Sequence, residues 1–181
     1  MRKSCRKRAL SLILLPGVAL AMIFTGFPAA TVNAAPTSNL TLTSSSQYLA
    51  EAFNWAKAMA LSKVQTGIGN NIPSYQCALQ ERPVFCMRDW AHQVDGAHLL
   101  GLSDENYSML EAFANLQTPG RKWYSIWEVN YDGSISPIDY HSDTEFWRNL
   151  AGMFELVEKG YRQYEWTANS NLINDSTLSN F

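Results

Sequence analysis

The chain has 181 residues and a formal net charge of −2. Residues 2–8 (RKSCRKR) hold five of its 14 Lys and Arg, so the remainder is acidic, which excludes nucleic acid and anionic lipid as partners of a basic surface. Six Trp, eight Tyr and eight Phe make it rich in aromatics, a composition that suits a large core or a surface for sugars.

The basic start is followed by an apolar run, Ala9 to Phe27, broken only by Ser11 and Thr25. Small residues then lead to Val32-Asn33-Ala34-Ala35. This order reads as a secretory signal peptide over residues 1–34, cleaved after Ala34. The alternative is an uncleaved anchor, since the run comes close to spanning length. Pro16, Gly17 and the small-residue exit favour cleavage, and the expectation is a secreted protein with no stable membrane anchor. Nine Lys and Arg would then face 16 Asp and Glu, a net of −7.

Cys77 and Cys86 would be the only cysteines of the exported chain. In an oxidising compartment they can pair and close the loop QCALQERPVFC, contributing about 2–3 kcal/mol. Two buried reduced thiols are the other reading, and the sequence leaves both open. No metal or cofactor is expected. Two Cys without Cys-x-x-Cys spacing do not make a zinc site, and His92 and His98, six apart, point to different sides of a helix.

Residues 35–44 read as a linker and 45–181 as one domain. Ser44 and Gln47 offer a capping box for a helix running to about Gln65, with Leu49, Ala52, Phe53, Ala56, Met59, Ala60 and Val64 as its buried stripe and Gly67 as its stop. A long loop with two Pro then arrives at CMRDWAHQ, Cys86 to Gln93, and loops of that length tend to carry function. Arg88 and Asp89 can bond hydroxyls while Trp90 covers an apolar face, which describes a sugar site. A buried Arg–Asp pair joining two helices would use the same residues.

Trp90 to about Gly101 is expected as the second helix, with Val94, Ala97 and Leu99 or Leu100 inward. Ser103 caps a third, with Tyr107, Leu110, Phe113, Ala114 and Leu116 as its stripe, ending at Thr118-Pro119-Gly120. The period then changes to two. RKWYSIWEVN alternates, Tyr131-Asp132-Gly133 turns, and SISPIDY returns as an edge strand, giving one inserted β-hairpin. Ser142 and Glu145 form a second capping box, opening a fourth helix to about Trp166 whose apolar face is wider than a surface helix needs. Asp175 or Ser176 can cap a further helix.

Three segments, FCMRDWAHQVDGAHLLGL, KWYSIWEVNYDGSISPIDY and HSDTEFWRNLAGMFELVEKGYRQYEWT, resemble the amino-terminal part of a six-hairpin glycosidase, the (α/α)6 toroid of glucoamylases, trehalases and α-rhamnosidases. The resemblance implies a mainly α fold of antiparallel helical hairpins, an incomplete toroid as the chain is given. It also implies that Arg88 and Asp89 bind the terminal sugar, with Trp90, His92 and Gln93 on the same wall. The acid and base of such enzymes usually come from later hairpins, so this chain alone is expected to be inactive.

Glycoside hydrolysis needs one protonated and one ionised carboxyl group. Glu128, between Trp127 and Val129, is the local candidate for the acid, because apolar neighbours favour the protonated form. An exposed strand glutamate is its plain alternative. Trp127 and Asp139 complete the candidate sugar contacts, with Trp123 as a further platform; turn or cap chemistry is the plain alternative for Asp139. Asp143 can face the same cleft but, like Glu145, has a ready explanation as a turn or cap residue; Trp147 can be a sugar platform, with core packing its default, and His98 and His141 are structural. The functional expectation is an exported glycoside hydrolase segment acting on an oligo- or polysaccharide. A non-catalytic carbohydrate-binding protein and a helical interaction module are the alternatives. Bare apolar faces also point to association.

Overall fold

The computed structural model describes residues 36–178 apart from 68, 70 and 79–81, all within one unit, Asn33–Phe181. The expected signal peptide lies outside the described residues. About half of the described chain is helical and its strands form short antiparallel pairs, so the protein is mainly α.

Helix α1 (Gln47–Leu61) ends before Gln65, because Val64–Thr66 becomes strand β1 and pairs with β2 (Pro73–Tyr75). Val64 and Thr66 are β-branched and favour that state. Gly67, at φ +74°, therefore follows a strand and does not stop the helix. Ser46 stands at the N-cap, while Ser44 Oγ accepts from its N–H at 3.1 Å and Gln47 Nε2 donates to Glu51. The expected capping box is thus absent. So is the buried stripe: no residue of α1 is buried, and Leu49 and Met59 face solvent. The linker lies back against this helix, with Lys57 Nζ donating to Leu40 O at 2.8 Å.

The core forms between α2 (Met87–Leu99), α3 (Ser103–Asn115) and α4 (Leu150–Thr167). Trp90 meets Phe113 edge-on at 6.2 Å, and Asn106 Nδ2 donates to Val94 O at 3.0 Å, so α2 and α3 run antiparallel. Gly101, at φ +88°, makes the tight reversal between them, a conformation that suits glycine. Met87 lies against Gly152 and Asp95 pairs with Lys159, so α4 runs parallel to α2. Trp90, Val94, Met109, Phe113 and Leu156 are fully buried, each worth roughly 1.5–3 kcal/mol. Asn106 is the polar hinge of this core. It accepts from the Tyr75 hydroxyl at 2.6 Å and donates to Gln163 Oε1 at 3.2 Å, tying β2 and α4 to α3.

Two expectations near the helix ends change. Helix α2 starts at Met87, so Arg88 sits in its first turn; of the two leucines at its end, Leu100 packs against the core and Leu99 faces solvent. Ser103 is inside α3 and its hydroxyl meets His98 Nδ1 at 2.8 Å; Leu102 is the N-cap.

The inserted hairpin is real but short. Only Glu128–Asn130 is strand, β4; a turn at Tyr131–Ser134 brings Ile135 back to Val129, and Ser136 N–H donates to Glu128 O at 3.2 Å. Its other edge pairs with β3 (Val84–Cys86), placing Cys86 opposite Glu128. The residues before it form a 3-10 turn, Pro119–Arg121, then Lys122 and Trp123 in left-handed conformations.

The Ser142–Glu145 box is a hairpin turn and not a helix start. Glu145 N–H donates to Ser142 Oγ at 3.1 Å between β5 (Tyr140–Ser142) and β6 (Glu145–Phe146). Side chains that cap helices also stabilise turns, and here the turn wins. Asn149 caps α4 instead, accepting from Gly152 N–H at 3.1 Å. Phe146 and Trp147 fall outside the helix, and Trp147 is 59 % exposed, not core. Of α4 itself only Gly152, Leu156 and Gln163 are buried. A single turn, α5 (Asn171–Asn174), follows. Among the described residues no helix is long and apolar enough to cross a membrane.

Candidate functional site

The first turn of α2, the residue before β4 and the β5–β6 arm converge on one cleft of about 340 Å3 lined by Arg88, Trp127, Asp139, Trp147 and Asn149. Backbone geometry sets each wall. Met87 N–H donates to Trp127 O at 2.9 Å, which holds the indole beside the start of α2. Gly152 lets α4 approach Met87 closely, since a Cβ there would stand 2.8 Å from its Sδ, and this brings Asn149 in. Trp147 N–H donates to Asp139 O at 2.8 Å and ties the two arm residues together.

The arm is latched at its far side. Asp143 Oδ1 accepts from Arg121 Nη1 and from the Tyr140 hydroxyl, each at 2.7 Å. Those hydrogen bonds, Tyr140's first, hold the Asp143 carboxyl below the usual aspartate range. Arg121 is buried and also donates to Leu116 O, so the latch is anchored in the body of the fold.

The cleft's two charged groups are uncommitted, while Asn149 spends its Oδ1 on capping α4. Among the described residues no hydrogen bond or ion pair engages the Arg88 guanidinium or the Asp139 carboxylate. A donor fork, an acceptor pair and the free NH2 of an amide thus line one cleft with two indoles. This set can bond hydroxyls and cover a C–H face at once.

Other expected site residues lie elsewhere. Trp90 is fully buried against Phe113 and belongs to the core, not to a sugar wall. Asp89 is exposed and does not line the cleft; its carboxylate interacts with the Cys86 thiol. His92 and Gln93 line a different and larger cleft, beside α1. Adjacent helical residues diverge by about 100°, so Arg88, Asp89 and Trp90 cannot share a wall.

Glu128, next in the chain to Trp127, is 1 % exposed. Strand alternation turns it away from its neighbour Trp127. Both carboxylate oxygens meet Arg82 Nη2, Ser136 Oγ donates to Oε1 at 3.1 Å, and Cys86 Sγ lies 3.8 Å from Oε2. Its neighbours are therefore polar as well as apolar, and it is not among the residues that line the cleft. Cys77 and Cys86 are free thiols. Cys77 Sγ points to Cys86 O at 3.6 Å, and Cys86 N–H donates to Cys77 O at 3.1 Å. Burial, then the charges of Glu128 and Asp89, pushes the Cys86 thiol up to about 12.

Arg82, Asn149 and the Asp143–Arg121 latch went unseen in the sequence. A signal existed for Asn149 alone: an uninterrupted helical pattern follows it, as a cap residue requires. Among the described residues no group of three His, Cys, Asp or Glu could hold a metal ion. No protein-family model, curated protein or solved structure matches the chain.

Proposed function

We propose that the protein is an exported carbohydrate-active protein whose Arg88–Trp127–Asp139–Trp147–Asn149 cleft holds one sugar unit of an oligo- or polysaccharide. The observation that carries the reading is the pairing of uncommitted charges with two partly exposed indoles in a single cleft. The wider reading is the amino-terminal part of a six-hairpin glycosidase, and it draws support from the helix directions. Antiparallel α2 and α3 make a helical hairpin, and α4 returns parallel to α2, as the next hairpin of a ring would.

A specific observation favours a second, non-catalytic reading. Hydrolysis needs two carboxyl groups across the scissile bond, and Asp139 is the one carboxylate lining the cleft among the described residues. Catalysis would need a partner carboxylate from elsewhere; binding would not.

Calorimetric titration over a broad glycan panel, with product analysis of the same mixtures, separates the readings. Saturable binding without product supports a binding protein, and product formation supports the hydrolase. Arg88→Ala should weaken either by about tenfold or more, as loss of a charge-assisted hydrogen bond implies. Flat titrations across the panel would reject both.

A further inference from the structure

A second cleft, of about 490 Å3, opens between the end of α1 and the middle and far end of α2, away from Arg88. Met59, Ala60, Leu100 and Leu102 give it apolar walls, Gln76, His92 and Gln93 add polar groups, and Lys63 stands at it. Its size falls in the range of small-molecule pockets, which combine apolar walls with a few polar groups.

Gly96 forms part of its lining. A glycine inside a helix weakens it, so its presence calls for a reason. For Gly152 and Gly160 the chain supplies one: a Cβ would come within 2.8 Å of Met87 Sδ or 3.2 Å of Leu110 Cδ2. For Gly96 nothing lies within 4 Å of where a Cβ would stand. Gly96 is itself exposed, so that space is open along the wall of the cleft that the glycine lines.

Lys63 is the second observation. It is partly buried, yet among the described residues no carboxylate pairs with its ammonium, in a chain holding more acid than base. A free cation at one side of an apolar trough matches a ligand with an apolar body and an anionic head.

We propose that the α1–α2 cleft binds a free amphiphilic monoanion, an unbranched apolar chain ending in a carboxylate. The chain lies over Gly96 and the carboxylate meets Lys63 through charge-assisted hydrogen bonds. The site is independent of the sugar cleft.

Titration of the protein with monomeric dodecanoate at neutral pH tests this. The expected result is a saturable site that Lys63→Met weakens about tenfold. Dodecanol should bind the unaltered protein no better than dodecanoate binds that variant. Gly96→Leu should abolish the site by filling the space over the glycine, and Gly96→Ala should weaken it by less. Both replacements favour helix over glycine, so their melting temperatures should not fall. Absence of saturable binding, undiminished binding by Gly96→Leu, or equal binding of dodecanol and dodecanoate would overturn the proposal.

Discussion

Helices α2 and α4 run side by side and in the same direction, yet they treat their apolar residues differently. In α2, Met87, Trp90, Ala91, Val94 and Ala97 are all buried. In α4, Leu150, Phe154, Val157 and Tyr161 face solvent, Phe154 being 69 % exposed, and Leu156 alone of its large apolar side chains is fully buried. Both sequences carry helical periodicity. Periodicity states which residues share a face; it does not state that a neighbour covers that face. The cleft lies where the two behaviours meet, at the amino-terminal ends of both helices, with ordered backbone beneath and uncovered aromatics around it.

The contrast can be broken at its strongest point. Trp90→Ala should cost about 3–5 kcal/mol in urea denaturation, while Phe154→Ala should change stability by no more than about 0.5 kcal/mol. A comparable loss in both would mean that the α4 face is covered in solution. Next in size is the Arg82–Glu128 ion pair. Arg82→Ala leaves Glu128 buried without its cation and should cost about 3 kcal/mol in the same assay.

The thiols give a smaller effect with a definite sign. An unfolded cysteine loses its proton near 9, while the fold holds that of Cys86 to about 12. Above the first value the unfolded chain releases a proton that the folded chain keeps, so stability falls as pH rises. The urea midpoint should drop from about pH 8 to about pH 10, and Cys86→Ala should reduce that slope. Smallest is the latch. The Asp143 carboxyl is depressed, so its contribution stands above the ordinary aspartate range and is lost as pH falls below it. Asp143→Asn should leave global stability nearly unchanged and speed exchange of the Trp147 amide, which bonds Asp139 across the arm.

Elements with one dominant local signal were legible in the sequence. Val94, Ala97, Leu110 and Phe113 turn inward as their spacing requires, and Asp132-Gly133 makes the expected turn. What escaped was decided by partners distant in the chain. The pairing of β3 with β4 sets Glu128 opposite Cys86 across 42 residues, and no local pattern announces it. The Ser142–Glu145 segment carried a true capping signal that tertiary contacts of the arm used as a turn. In the site, Arg88, Trp127 and Asp139 were named from the sequence and do line one cleft. Trp90 was named for chemistry and serves the core, because a one-residue step on a helix changes the face presented.

Indole N–H resonances offer the most direct test of the central claim, since the six Trp side chains sample both regions. With the resonances assigned, glycans are added in turn. The account predicts that an oligosaccharide shifts Trp127 and Trp147 while Trp90, sealed in the core, stays fixed. Silence at Trp127 and Trp147 across the panel, or shifts confined to Trp55, Trp123 and Trp166, would contradict a sugar site in this cleft.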